Sequence, residues 1–240
     1  ASALERGQPV AITAGTYLIS SALTQIVLPA TGEMRSDGGS IGIIGAGSHS
    51  TVITYGGTGN LFDVLPQNSF IPFTISGLRL KRATADFDSI PPGSAVKMGD
   101  GLYGFFVDDV QAVSFDTGFE VSGALVGSFR NSGAWWCKTG AKLRRPGAFA
   151  PNQIAFDRHV FTRCRDYCVD VSDAAGIVFS NCVFEQNGDP VNDVKCTPIL
   201  AANMGGDGVK AISFVGSNYF EANYADASVY IAHTMEAQYD

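Results

Sequence analysis

The sequence predicts an all-β chain wound as a right-handed, single-stranded parallel β-helix. Three observations carry that expectation: apolar residues alternate over short runs, turn-forming residues punctuate the runs, and one strand–bend–strand unit recurs along the chain. A sandwich or a barrel would share the first two features but has no reason to repeat a unit at a fixed period.

Residues 1–9 read as a lead-in or cap, with Ala3 to Gln8 as a candidate short helix, and residues 10–240 as the β-helix. Val10-Ala11-Ile12, Tyr17-Leu18-Ile19, Ile41-Gly42-Ile43-Ile44, Thr51-Val52-Ile53, Phe73-Thr74-Ile75 and Leu78-Arg79-Leu80 each fit a strand of about 3 to 5 residues. Pro66, Pro72, Pro91 and Pro92 break any longer helical reading. Loop insertions are expected near 85–105, 130–150 and 188–208, and parts of 195–204 are compatible with a short helix.

The repeat is explicit from residue 154 onward. Ile154-Ala155-Phe156 leads to Val160-Phe161-Thr162-Arg163-Cys164, and 23 residues later Ile177-Val178-Phe179 leads to Val183-Phe184-Glu185-Gln186-Asn187. A third copy runs from Ile212-Ser213-Phe214 to Tyr219-Phe220-Glu221-Ala222-Asn223, with weaker copies at 73–80 and 112–121. In each copy two apolar residues at i and i+2 face one side of a strand, a polar bend follows, and a second strand begins. A period near 23 suits three short strands and three bends per coil. Asn181 occupies a bend where a left-handed backbone is tolerated, and Asn187 and Asn223 recur after the second strand as structural corner residues. The step of 35 from Ile177 to Ile212 exceeds one coil by a dozen residues, which predicts a surface loop between Gly188 and Gly208. Insertions of that kind commonly carry function.

The 240 residues suit one large domain or two small ones. With 45% hydrophobic and 16% charged residues, the chain is neither disordered nor a coiled coil. No apolar run approaches the roughly 18 residues of a membrane span, and Ala1 to Val10 lacks the charged and apolar regions of a secretory signal, so membrane insertion is not expected. A net charge of −7 opposes a polyanion, so nucleic acid is not an expected partner. Cys137, Cys164, Cys168, Cys182 and Cys196 are odd in number, leaving at least one thiol unpaired within the chain. Cys164 and Cys168 have no second matching pair or His cluster, so the cysteines read as small buried hydrophobes, with no metal and no cofactor expected.

The segment Ile12-Thr13-Ala14-Gly15-Thr16-Tyr17-Leu18-Ile19-Ser20, followed by Ile43-Ile44-Gly45-Ala46-Gly47-Ser48-His49-Ser50-Thr51-Val52-Ile53, resembles the opening coils of pectate-lyase-like β-helices. Asn181 to Gly188, with its Asn-Cys-x-Phe-Glu-x-Asn-Gly pattern, and Asn218 to Asn223 resemble the same superfamily, especially the spikes and fibres of tailed bacteriophages. The resemblance covers most of the chain and is weakest over 85–150. It implies a pectin-lyase-like solenoid in a virion tail, a homotrimer, contact with other tail or virion proteins, and a bacterial surface polysaccharide as ligand. It leaves the chemistry open, because the superfamily holds hydrolases, lyases, epimerases and catalytically silent binding proteins. The chain shows no recognisable particle-attachment domain before Val10 and no trimerising domain after its last coil, so further segments or other chains are expected to supply them.

Two stacked acids lead the candidate chemistry. Glu185 and Glu221 hold the same place in successive copies, each directly after an inward-reading Phe. Strands in adjacent coils lie about 4.8 Å apart, so these carboxylates approach the roughly 5 Å separation of a retaining glycosidase pair. Asp189, in the loop after Glu185, is the third catalytic candidate. The competing reading is a Phe-Glu-x-Asn corner that turns well and keeps its Glu in water.

The second signal is a basic, aromatic stretch. Over 130–165 eight basic residues (Arg130, Lys138, Lys142, Arg144, Arg145, Arg158, Arg163, Arg165) meet one acid, Asp157. Trp135, Trp136, Lys138, Arg144, Arg145 and Arg163 are the candidate substrate-binding residues, because indoles beside guanidinium groups suit sugar rings that carry carboxylates. Against this, the basic residues could solvate an edge or meet Asp166, Asp170 and Asp173. A lyase reading has Arg or Lys acidify the proton beside a uronate carboxylate, and its calcium-assisted version has Asp189, Asp193 and Asp207 as oxygen ligands.

Two familiar strings are decoys. Gly99 to Gly104 satisfies G-x-G-x-x-G, but Phe105-Phe106-Val107 follows as a strand where a helix is required. Gly38 to Gly42 satisfies G-x-S-x-G without the helix of a nucleophile elbow. His49, His159 and His233 are solitary and read as core or surface residues. The expectation is a phage tail spike or fibre that binds, and either cuts or only holds, an acidic bacterial surface polysaccharide. A secreted bacterial polysaccharide lyase is the alternative.

Overall fold

The computed structural model describes residues 9–21, 26–28, 41–65, 72–84, 86–202 and 209–232. Their strands stack as eight coils in chain order. The first coil holds β1 (Val10–Ala11), β2 (Gly15–Ile19) and β3 (Ile26–Val27), and the second β4 (Ile41–Ile44), β5 (Thr51–Tyr55) and β6 (Phe62–Leu65). In the third and fourth coils two strands merge into one, giving β7 (Phe73–Arg82) with β8 (Ser94–Met98), then β9 (Tyr103–Val113) with β10 (Thr117–Ser122). The fifth coil is β11 (Leu125–Arg130), β12 (Gly133–Trp135) and β13 (Thr139–Arg144); the sixth is β14 (Asn152–Asp157), β15 (Val160–Thr162) and β16 (Tyr167–Ser172). The seventh is β17 (Ala175–Ser180), β18 (Val183–Glu185) and β19 (Thr197–Ala202), and the eighth is β20 (Lys210–Val215), β21 (Tyr219–Glu221) and β22 (Val229–Ala232).

Each strand pairs in parallel with its counterpart one coil away, so three walls enclose one core. Ile154, Ile177 and Ile212 lie in register on the first wall, as the repeat demands. The chain is therefore a parallel β-helix.

Corners repeat because the backbone conformation at them repeats. Gly77, Asp109, Asn131, Arg158, Asn181 and Gly216 have positive φ where the first wall turns into the second. Ser114, Trp136, Arg163, Gln186 and Ala222 do the same at the end of the second wall. The expected left-handed residue Asn181 has φ 53°. Asn187 and Asn223 instead stand one residue past the left-handed position and point inward. Asn187 Oδ1 accepts from Cys164 N (2.8 Å), while its Nδ2 donates to Phe161 O (3.1 Å) and Asn223 Oδ1 (2.8 Å). Asn223 Nδ2 in turn donates to Phe184 O (2.9 Å), so one amide ladder satisfies buried backbone groups across successive coils.

Aromatic rings fill the core in two columns. Phe129, Phe156, Phe179 and Phe214 stack at 4.8, 5.2 and 5.4 Å, and Phe161, Phe184 and Phe220 at 5.1 and 4.5 Å. Identical residues fall above one another because every coil keeps register, and each such pair adds about 0.5–1.5 kcal/mol beyond its buried area. Gly127 interrupts an otherwise apolar inward column because a Cβ there would stand 2.1 Å from the Phe105 ring. All five cysteines are reduced and buried in this core, and burial raises the thiol pKa of Cys137, Cys168 and Cys182, the last to about 11.

Several expectations are corrected. The stretch 195–204 holds β19 rather than a helix, because pairing between β16 and β22 overrides the helical preference of its alanines. The ranges 85–105 and 130–150 are not simple insertions, since they contain β8, the start of β9, β12 and β13. Alternation there is masked by glycines that pack against neighbouring coils. The copy at 112–121 is out of phase, joining the end of the second wall to the third. The extra dozen residues of the seventh coil are split by β19: residues 186–196 replace a connection of four, 163–166, and 203–209 replace one of two, 173–174. Ala3 to Gln8, Asp207 and His233 lie outside the described residues.

Candidate functional site

The second corner builds the site. Trp136, Arg163 and Gln186 occupy the same left-handed position in three successive coils, with φ of 52°, 54° and 52°, so their side chains leave the corner one above another. The Arg163 guanidinium lies 5.0 Å from the centroid of the Trp136 ring, and its Nε donates to Gln186 Oε1 at 3.2 Å. A guanidinium that lies over an aromatic ring and is tethered through Nε keeps its two Nη groups as donors for an anion.

These three residues form the floor of a cleft of about 540 Å³ whose other lining includes Phe87, Pro190, Val191 and Tyr224. Phe87 comes from a single 3-10 turn, Phe87–Ser89, in the β7–β8 connection. Asp86 caps that turn by accepting from Asp88 N and Ser89 Oγ, contacts that hold its carboxyl below the usual range. Arg165 fastens the turn to the sixth coil by pairing with Asp88 at 3.1 Å and lying 6.0 Å from the Phe87 ring.

The opposite wall is the loop after β18. Asp189 Oδ1 accepts from Val191 N and Asn192 N (3.1 and 3.2 Å), and its Oδ2 accepts from Asn192 Nδ2 (2.6 Å). The Asn192 amide leads the contacts that hold the Asp189 pKa below its ordinary value. An ionised carboxylate so engaged shapes the loop and makes a poor proton donor. Backbone bonds between Asp189 and Val194 (2.7 and 2.9 Å) close the loop, the Tyr224 hydroxyl donates to Asp193, and Lys195 pairs with Asp226 at 2.7 Å.

Glu185 and Glu221 are direct register partners on β18 and β21, and Thr162 and Trp135 continue the same outward row. Each Glu immediately precedes a residue of the cleft, Gln186 or Ala222. Tyr219 is hydrogen-bonded to Glu221, which raises the tyrosine pKa, with the Glu185 charge adding to the shift.

Of the sequence candidates, the structure brings Trp136, Arg163 and Asp189 into one cleft. Trp135 and Trp136 diverge, because one ends a strand and the other turns the corner: Trp135 meets Arg79 at 5.6 Å, and its indole N–H is buried without a partner. The basic stretch is largely neutralised by acids, some in neighbouring coils and some adjacent in sequence. Lys138 and Lys142 approach Asp116 at 3.7 and 3.9 Å, and Lys138 also donates to Ile90 O at 3.2 Å. Arg144 pairs with Asp170 at 2.6 Å, Arg130 and Arg158 share Asp157, and Arg165 meets Asp166 at 2.9 Å. Arg145 Nε donates to Gly147 O at 3.3 Å on a loop outside the cleft lining. Arg163, by contrast, meets the neutral partners Trp136 and Gln186. Among the described residues no group of three His, Cys, Asp or Glu is placed to hold a metal ion.

Gln186, Phe87, Val191 and Tyr224 were missed from sequence. Gln186 alone had a signal, since the 23-residue repeat carries Arg163 onto it.

No protein-family model and no curated protein matches the chain. Solved structures do. A protein described as Geobacillus virus E2 ORF18 superposes with a TM-score of 0.70 at 15% identity over 94% of this chain and 43% of its own. A rhamnogalacturonan lyase gives 0.59 at 13% identity over 87% and 55%. The enzymatically active domain of bacteriophage CBA120 tailspike protein 2 gives 0.55 at 9% identity over 96% and 42%. The chain thus spans about half the length of these structures, and the likeness is one of fold.

Proposed function

We propose that this parallel β-helix belongs to a phage tail spike or fibre and binds an acidic polysaccharide of the bacterial surface in the cleft at Trp136, Arg163 and Gln186. The observation that carries the reading is Arg163. Lys138, Lys142, Arg130, Arg144, Arg158 and Arg165 of the basic stretch are matched by carboxylates, whereas Arg163 meets only the neutral Trp136 and Gln186 and lines the cleft. Fold neighbours named as a virus protein and a phage tailspike support the virion assignment. The same reading carries a homotrimer docked on other tail or virion proteins, which sedimentation of the purified chain tests. For the ligand, capsule and lipopolysaccharide preparations from a bacterial panel should include one that binds. Arg163→Gln should weaken it at least about ten-fold at unchanged thermal stability. Undiminished binding by the variant would overturn the proposal.

A second reading adds cleavage, favoured by the register pair Glu185 and Glu221 beside the cleft. Tyr219 orients Glu221 for the role of nucleophile or base, leaving Glu185 as the acid on the leaving oxygen. New reducing ends that vanish in Glu185→Gln would support hydrolysis. Ultraviolet absorbance from an unsaturated uronate would instead mark a lyase, the alternative consistent with the rhamnogalacturonan lyase neighbour.

A further inference from the structure

Resting on the acidic-polysaccharide reading, we infer that the polymer extends from the cleft onto the outer face of the second wall, where Arg79 forms a second anion-binding subsite. Arg79 stands on β7, three coils before Arg163, in register with Val52 of the coil before and with Gln111 and then Gly133 of the coils after. Its surroundings repeat those of Arg163. Arg79 Nε and Nη2 both donate to Gln111 Oε1, at 2.8 and 2.6 Å, and the guanidinium lies 5.6 Å from the centroid of the Trp135 ring. Two arginines, each tethered through Nε to a glutamine side-chain oxygen, thus attend the two adjacent indoles Trp135 and Trp136. Among the described residues no carboxylate meets Arg79, and no bond uses its Nη1.

The wall between the two arginines is shaped for a chain lying on it. Gly133 has no side chain to lift Trp135 off the sheet, since a Cβ there would stand 2.9 Å from the indole nitrogen. The indole therefore lies against the backbone of the fifth coil and reaches toward Arg79 across the fourth, where the outward Gln111 and Val113 are 9% and 7% exposed. Charge then sets the direction. Exposed Lys81, two residues after Arg79, heads the row that runs through Val113, Trp135 and Thr162 to Glu185 and Glu221. A polyanion leaving Arg163 is drawn toward the Arg79 and Lys81 end of this wall and repelled from the Glu221 end. Three coils separate the two arginines by about 14 Å along the axis, a span that a hexasaccharide bridges and a disaccharide does not. One further charge-assisted pair, at Arg79, is enough for at least about a ten-fold gain in affinity.

Digalacturonic and hexagalacturonic acid separate the two subsites. Calorimetric titration should show the hexamer binding at least about ten-fold tighter than the dimer. Arg79→Gln should bring the hexamer close to the affinity of the dimer and leave the dimer, held by the cleft, unchanged, whereas Arg163→Gln should weaken both. Lys81→Gln repeats the test at an exposed position outside the Trp135 contacts and should lower hexamer affinity about three-fold. A hexamer no tighter than the dimer, or hexamer binding undiminished in both Arg79→Gln and Lys81→Gln, would overturn the second subsite and leave the cleft reading standing. Binding of neither oligomer, or binding of both unaffected by Arg163→Gln, would overturn the two readings together.

Discussion

The two corners that flank the second wall are built alike and used differently. From the fifth coil onward each places a left-handed residue outside and a small or polar residue inside. At the first corner the outward groups consume one another: Asn131 Nδ2 donates to Asp108 at 2.9 Å, Arg158 pairs with Asp157 at 3.3 Å, and Asn181 Oδ1 accepts from Ser217 N at 3.1 Å. At the second corner Trp136, Arg163 and Gln186 orient one another and still leave donors facing a cleft. A repeated backbone demand thus fixes where a side chain stands. What it can do depends on whether its polar groups are already engaged.

The insides of the corners differ as well, and the largest expected effect lies there. Asn187 is 1% exposed and makes the bonds to Cys164 N and Phe161 O that no other side chain supplies. Asn187→Ala leaves both backbone groups and the Asn223 amide short of partners, at a cost of about 3 kcal/mol. The matching first-corner change, Cys182→Ala, removes only a small apolar side chain and a weak thiol donor, and should cost about 1 kcal/mol. Urea midpoints of the two variants compare the corners directly, and equal losses would break the contrast.

His159 occupies the same inward place at the first corner and inverts the pattern. It is fully buried among Phe119, Phe129, Phe156 and Phe161, and neither ring nitrogen has a hydrogen-bond partner. Burial pushes its pKa down to about 3. The folded value lies below the unfolded one of about 6.5, so the unfolded chain binds the extra proton first. The full contribution is present above about pH 6.5 and is lost, by about 1.4 kcal/mol per pH unit, as pH falls toward 3. His159→Leu should remove that part of the acid sensitivity. Denaturation midpoints at several pH values check it, and an unchanged slope would mean that the imidazole reaches solvent.

The fold was legible because register is a sequence property. Ile154, Ile177 and Ile212, with Phe156, Phe179 and Phe214, announce a stack at a fixed step, and the walls follow. The coils from 85 to 150 were harder, since Gly118, Gly127, Gly133 and Gly140 replace apolar residues where neighbouring atoms leave no room for a Cβ. The site was half legible. Trp136 and Arg163 stood out by chemistry, but the free state of Arg163 shows only against Asp116, Asp157 and Asp170, which neutralise Lys138, Arg130 and Arg144 from adjacent coils. Phe87 reaches the cleft from a turn some 50 residues before Trp136, held by the Arg165–Asp88 pair, and no local pattern marks it.

The smallest effect tests the row beside the second corner. Glu185 and Glu221 face each other across parallel strands, an arrangement in which like charges cost about 0.2–1 kcal/mol. Thr162 at the equivalent place one coil earlier shows that the wall does not need an acid there. Glu221→Gln removes the repulsion while keeping an acceptor for the Tyr219 hydroxyl, so it should raise stability by about 0.5 kcal/mol at low salt. The gain should shrink as salt screens the pair. A stabilised protein that has lost polysaccharide cleavage would show two acids held against their mutual repulsion for chemistry, whereas stabilisation with binding and cleavage unaltered would return them to solvent.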